Sequence, residues 1–336
     1  MSSIRVAVLG GGSWGTTVAH LCAHNAPTVL WARSKETVDQ INNEHQNRRY
    51  LEGYVLHESL RATTDLAEAL STADLLVVGV PSQAFRETLR DAASLVRPWI
   101  PVVSLTKGLE LDTGKRMTQI IHDELPGHPV GVLTGPNLAK EILAGAAAAS
   151  VVAMHDHAVA ESLQDVFHSN LFRVYTNDDL IGCELGGAFK NVIAIASGMA
   201  DGLGAGDNTR SAVITRGLAE ITRLGVALGG SPMTFAGLAG MGDLIATCIS
   251  PQSRNRTVGQ RLGEGLTIDE VIAEMNQVAE GVKSCRMVQA LGREFGVSTP
   301  ITDEVVAVCH EGSTAKDAYA GLINRSNRRE MHGLDA

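Results

Sequence analysis

Residues 4–23 read IRVAVLGGGSWGTTVAHLCA. A short apolar run rich in valine, Ile4 to Leu9, meets glycines spaced Gly10-x-Gly12-x-x-Gly15, and a helical apolar pattern follows at once. That order predicts strand, tight turn and helix. One glycine makes the turn, one lets a pyrophosphate approach bare backbone, and one packs the helix against the strand. Glycines alone would also make a plain turn. Strand, glycines and helix in register, with a second apolar run TVLWAR from Thr28, read as a dinucleotide fold that includes Ser13 and Trp14 in its loop.

Where that second strand ends, an NAD-selective protein carries an acid for the ribose hydroxyls. Here Arg33 and Ser34 stand instead. A guanidinium pairs with a 2′-phosphate, so NADPH is the preferred cofactor with NADH usable; an Arg33 left in solvent would make the protein indifferent.

Working outward, DLLVVGV from Asp74, PVVSLT from Pro101 and VGVLTG from Val130 continue the alternation of strands and helices, which predicts a doubly wound parallel α/β sheet. Ala149 to Met154 and Leu171 to Tyr175 are expected to extend it, with a helix around Asp156 to His168 between them. From Gly182 onward helical periodicities follow one another with glycine punctuation and no strand. The expected organisation is a dinucleotide-binding Rossmann domain over 1–180 and an all-helical substrate-binding domain over 181–336. The charge run RSNRRE near Arg325 reads as a solvated tail.

Composition narrows the function. The 28 basic and 37 acidic residues leave a net charge of -9, so no cationic field exists to hold nucleic acid, and an anionic ligand must be caught locally. Five cysteines without a CxxC pair fit a reducing compartment, and the N-terminus lacks a leader pattern, so a cytoplasmic protein is expected. The longest apolar stretches fall short of the roughly 18 residues of a membrane span. Aromatics at 4% beside 35 glycines suggest a small polar substrate. No metal is expected, because the close histidine pair His155 and His157 has no carboxylate cluster beside it.

Three segments carry candidate chemistry. SLTKGLE places Lys107 past a strand's carboxyl end, where ligands of open α/β sheets lie, although alone it reads equally as a surface lysine. TGPNLAKE brings Gly135, Pro136 and Asn137 to the same edge, where backbone amides and a short polar side chain suit a substrate oxygen. ELGGAFKNVIAIASG puts Lys190 and Asn191 inside a small, apolar helix. A buried lysine there is costly unless paired or functional, and desolvation brings such an amine toward the range of proton transfer; the bland alternative snorkels to water. GLAGMGDLIATCISPQSRNR adds Asp243, Thr247, Ser253, Arg254 and Asn255, which suit a phosphate monoester or, equally, a capped loop.

Taken in order, GGGSWGT, NRRYLEG, VPSQAFR, SLTKGLE, TGPNLAKE, ELGGAFKNVIAIASG, DGLGAGDNTRSAVITRGLAE, GLAGMGDLIATC, SRNR and VAEGV make the chain resemble the bacterial NAD(P)-dependent glycerol-3-phosphate dehydrogenases over almost its whole length. The resemblance implies a helical domain like the C-terminal one of 6-phosphogluconate dehydrogenase, and reduction of dihydroxyacetone phosphate to sn-glycerol 3-phosphate for phospholipid synthesis. It implies Lys190 as catalytic lysine with Lys107 and Asp243 beside it, substrate contacts at Gly135, Asn137, Ser253, Arg254 and Asn255, and cofactor contacts at Ser13, Trp14, Arg33, Lys107, Ala139, Arg254, Val278 and Glu280. A homodimer is expected by family analogy. Two departures stand out: Asn137 where the family has Ser or Thr, and Leu56-His57 where it has Leu-Pro.

These residues support a mechanism on their own terms. Hydride addition to a ketose phosphate leaves an alkoxide at C2 that needs a proton, expected from Lys190, while Lys107 and Asp243 hold the hydroxyl and Arg254 with Asn255 holds the phosphate. Two other readings remain: a related reductase of small hydroxy acids or of ketopantoate, and a non-catalytic NADPH-binding redox sensor. The phosphate-suited SRNR block argues against the first, and the set Lys107, Lys190 and Asp243 against the second.

Overall fold

The computed structural model describes residues 4–275 and 279–324. The chain divides into two compact units, Met1–Leu180 and Ile181–Ala336. The first is built on one eight-stranded sheet: β1 (Val6–Leu9), β2 (Thr28–Trp31), β3 (Arg61–Thr63), β4 (Leu75–Val78), β5 (Val102–Ser104), β6 (Val130–Thr134), β7 (Ala148–Met154) and β8 (Phe172–Asn177), in the order β3-β2-β1-β4-β5-β6-β7-β8. Strands buried on both faces need no polar alternation, which is why VAVL and LLVV are apolar throughout. Val6, Val8, Leu75 and Val77 face one apolar cluster with Val18, Cys22, Ile41 and Phe167 from the helices of that side. Ala7, Leu9, Leu76 and Val78 face the other, with Phe85, Leu89, Ile120 and Ile121. Helices on both faces make this the expected doubly wound arrangement.

Two details depart from the sequence reading. β7 runs antiparallel to β6, while β8 is parallel to β7. The only helix between β6 and β7, Ala139–Leu143, has five residues. At about 1.5 Å per residue it spans about 8 Å, half of the roughly 16 Å that a five-residue strand covers. A helix that short cannot carry the chain back along the sheet, and it turns over at Gly145, whose φ is +82°. The second departure is β3: RAT has no apolar run to announce it and is held by register with Val29, Leu30 and Trp31.

The second unit contains helices and no strand among the described residues. Its centre is the helix Leu180–Gly202, long and apolar enough to cross a membrane by length and composition. This corrects the expectation that no stretch reaches that length. It is a core helix, with 94% of the apolar window buried in protein. The glycines read as punctuation also have a packing role. A Cβ on Gly198 would lie 2.1 Å from the Arg256 carbonyl oxygen, on Gly202 2.1 Å from that of Gln260, and on Gly259 1.9 Å from that of Ile195. Helix Arg254–Gly263 therefore lies backbone to backbone on Leu180–Gly202. Each helical glycine costs about 1 kcal/mol of propensity, so the close approach must offset several.

Candidate functional site

In the first unit the glycine loop has the geometry its spacing predicts. Gly10 adopts φ +123° and donates its N–H to the Trp31 carbonyl at 3.0 Å; a Cβ there would lie 2.5 Å from the Gly79 carbonyl oxygen. A Cβ on Gly15 would lie 2.1 Å from the Gly10 carbonyl oxygen. Gly12 differs, with nothing within 4 Å of where its Cβ would stand. It is also the N-cap of helix Ser13–Ala23 and supplies no side-chain cap. The first N–H groups of that helix thus have no side-chain cap from Gly12, the kind of helix start that accepts an anion. Ser13 Oγ donates to the Tyr50 carbonyl at 3.4 Å, and Trp14 packs on Phe172 at 6.2 Å between ring centroids. Arg33 lies just past β2, exposed and in no ion pair among the described residues, and Ser34 caps the next helix.

Lys107 follows β5 at its carboxyl end. Its Nζ donates to the Gly135 carbonyl at 2.9 Å and to Asn137 Oδ1 at 2.6 Å. Gly135 needs φ +131°, and a Cβ there would press on Ser150 Cα at 3.1 Å. Asn137 thus turns its oxygen to Lys107, and its buried Nδ2 is the polar atom of that side chain with no partner. Ala139 opens the short helix that follows and is half-buried.

In the second unit Lys190 is 6% exposed and does not reach water as a snorkelling lysine would. Its ammonium forms an ion pair with Asp243 Oδ1, and it donates to Thr247 Oγ1 at 2.7 Å. Thr247 Oγ1 in turn donates a hydrogen bond to the Asp243 main-chain carbonyl, also at 2.7 Å. An ammonium has three protons. Two of them are directed at Asp243 and Thr247. Burial pushes the neighbouring Cys248 thiol up to about 12, so it stays neutral. Asp243 is aimed by a π-helical turn, Leu238–Gly242, that runs into helix Asp243–Ile249. A Cβ on Gly240 would lie 2.2 Å from the Phe235 carbonyl oxygen, so this turn requires glycine at 240.

The SRNR block divides its labour. Ser253 caps helix Arg254–Gly263 by accepting from the Arg256 N–H at 3.2 Å. Arg256 is bound to Asp201 at 2.8 Å, a structural role, whereas Arg254 is exposed. Asn255 is buried: its Nδ2 donates to Asn191 Oδ1 at 3.0 Å, and its Oδ1 accepts from the Gly281 N–H at 2.8 Å. It therefore ties the helix of Lys190 to helix Glu280–Glu294, whose first residue is Glu280. Val278 lies outside the described residues.

Sequence reasoning marked Thr247 among the polar residues of its block but not as a partner of Lys190, though a hydroxyl four residues after an acid on a helix shares its face. It also overlooked His20 and His24, one helical turn apart with Nε2 atoms 3.4 Å apart, and His57. The His57 N–H donates to His20 Nδ1 at 2.9 Å. The neutral His20 ring then carries its proton on Nε2, toward His24, which is not a ligand arrangement. Among the described residues no group of three His, Cys, Asp or Glu could hold a metal ion. His155 and His157 are exposed.

Comparison with known proteins identifies the family and the fold. Residues 5–160 match the family model for the NAD-dependent glycerol-3-phosphate dehydrogenase N-terminus, and residues 179–320 that for its C-terminus. The chain is 62% identical over 329 residues to glycerol-3-phosphate dehydrogenase [NAD(P)+] 2 of Sphingopyxis alaskensis, covering 98% of this chain and 99% of that one. It is 56% identical to the Mycobacterium avium protein of the same activity, covering 99% and 98%. The crystal structure of glycerol-3-phosphate dehydrogenase from Coxiella burnetii superposes with a TM-score of 0.91 at 37% identity, covering 96% and 99%.

Proposed function

This chain belongs to the NAD-dependent glycerol-3-phosphate dehydrogenase family, and from that premise we propose how its residues perform the reaction. It is an oxidoreductase that interconverts dihydroxyacetone phosphate and sn-glycerol 3-phosphate with a nicotinamide dinucleotide. The observation that carries the residue assignment is the buried triad of Lys190, Asp243 and Thr247.

When bound, the cofactor supplies or takes the hydride. The chain does the rest. Lys190 donates its third proton to the C2 oxygen during reduction and removes it during oxidation, with Asp243 and Thr247 holding the amine in one orientation. Lys107, fixed by Gly135 and Asn137 at the carboxyl end of β5, offers a cation to a bound anion or oxyanion. Arg254, at the N-terminus of its helix with Ser253 and the main-chain N–H of Asn255, binds the substrate phosphate. On this reading residues 1–180 hold the dinucleotide through Gly10, Gly12, Ser13, Trp14, Gly15, Arg33 and Ala139. Residues 181–336 hold the substrate.

NADPH is preferred over NADH because the guanidinium of Arg33 follows β2 at the position where an NAD-selective protein carries an acid for the ribose hydroxyls. The protein works in the cytoplasm, which suits its five free, buried cysteines. It pairs as a homodimer through the helical unit, where Met233 and Ile249 are exposed. Absorbance of the reduced nicotinamide, followed with NADPH and with NADH, tests the cofactor reading. Dihydroxyacetone phosphate should be turned over faster with NADPH, and Arg33→Asp should reverse the order. Equal rates before and after that substitution would refute it. Unphosphorylated dihydroxyacetone should be inert unless Arg254 has no part in binding.

A further inference from the structure

The block NRRYLEG begins with Asn47, a residue to which neither the chemistry nor the cofactor contacts above give a part. It is 0% exposed, although it sits in a connection between helices Lys35–Glu44 and Arg48–Leu51. Its Nδ2 donates to the Gly11 carbonyl at 2.9 Å and to Thr16 Oγ1 at 2.9 Å, reaching back 36 and 31 residues to the glycine loop and the first turn of its helix. Both amide protons are thereby spent on the loop. The Asn47 carbonyl accepts from the Leu51 N–H at 2.8 Å, and Leu51 is fully buried, so the clamp is anchored in the core.

Peptide planarity turns this clamp into a binding device. The carbonyl of Gly11 and the N–H of Gly12 belong to one trans peptide and point in opposite directions. Holding the Gly11 oxygen back toward Asn47 aims the Gly12 N–H the other way. Glycines on both sides of that bond could otherwise rotate freely, because Gly11 and Gly12 carry no Cβ to restrain them. A wandering peptide would present its carbonyl oxygen to an incoming anion for part of the time.

We propose that Asn47 is the positioning residue of the phosphate loop, locking the Gly11–Gly12 peptide so that the Gly12 N–H is oriented in advance for the dinucleotide pyrophosphate. The inference rests on the dinucleotide reading of the loop. Asn47 itself touches no ligand; its effect is on affinity for the cofactor and not on the proton transfer at Lys190.

The test is the dissociation constant for NADPH, from fluorescence titration of the whole chain, beside steady-state kinetics and thermal unfolding. Asn47→Ala should raise the dissociation constant and the KM for NADPH by about tenfold, the weight of one well-placed hydrogen bond. The KM for dihydroxyacetone phosphate should stay put, and kcat at saturating NADPH should change less than twofold. Asn47→Asp keeps the shape but sets a carboxylate against the Gly11 oxygen, and should weaken binding at least as much. It serves if the alanine variant does not fold. Thr16→Val removes the other acceptor and should leave NADPH affinity near wild type. Folded Asn47 variants that bind NADPH like wild type, or a loss just as large in Thr16→Val, would overturn the proposal. A wild-type chain that binds no dinucleotide would overturn instead the reading on which it rests, and the proposal with it.

Discussion

Replacing either member of the Lys190–Asp243 pair should cost both stability and turnover, and the two losses separate by a double-mutant cycle. The side chains are 7% and 3% exposed, so removing one leaves the other as a buried charge without its counter-ion. Such a change costs about 3–5 kcal/mol, more than the pair contributes over a well-packed neutral replacement. Asp243→Asn and Lys190→Met should each lose about that much in urea unfolding, followed by far-ultraviolet dichroism. The double variant should lose far less than the sum, giving a coupling energy of several kcal/mol. Turnover behaves differently. Lys190→Met should lower kcat by about 10²–10⁴, the range of a general acid, and the double variant should not recover it. Additive stability losses, or near-native kcat in folded Lys190→Met, would refute the view that the buried amine is both held by Asp243 and the source of the proton.

Three further outcomes are expected. Gly259→Ala puts a methyl group 1.9 Å from the Ile195 carbonyl oxygen, so the two helices must part; a loss of at least about 2 kcal/mol in urea unfolding and a drop in kcat should follow, whereas an exposed Gly265→Ala changes kcat little. Burial, then the neighbouring charges of His24 and His57, brings His20 down from 6.5 to about 4. The folded state thus resists protonation, and its stability is complete above pH 6.5 and lost as pH falls toward 4, by about 1–2 kcal/mol after solvent screening of a partly open ring. Urea midpoints of His20→Gln that track wild type between those limits would contradict this. Among five buried cysteines, a hydrogen bond from Cys309 brings Cys285 down from the usual thiol range, with His310 adding to it, while burial holds Cys22 and Cys248 high. Mass spectrometry after brief iodoacetamide treatment at pH 8 should find Cys285 labelled first, and labelling that begins at Cys22 would be the contrary result.

Much of the protein is decided by patterns that lie close together in the chain. The strand, glycine spacing and helix of residues 4–23 need only local geometry: a turn that demands positive φ at Gly10, and a helix start bare of side chains at Gly12. Lys190 in an apolar helix is likewise legible, because a charge among small apolar residues must have a reason. The sequence alone also marked Asp243, Ser253 and Arg254 as polar chemistry in a glycine-rich setting. It could not say which of them would be paired with what. That Asp243 and Thr247 take two protons of Lys190, that Asn255 is spent on Asn191 and Gly281, and that Arg256 answers Asp201 are choices among partners distant in sequence. The reversal of β7, the short β3 and the clamp of Asn47 on Gly11 are of the same kind. The physical reason is common to them: periodicity reports which face of an element is buried, whereas a hydrogen bond across 36 residues depends on where the packed core brings the two groups.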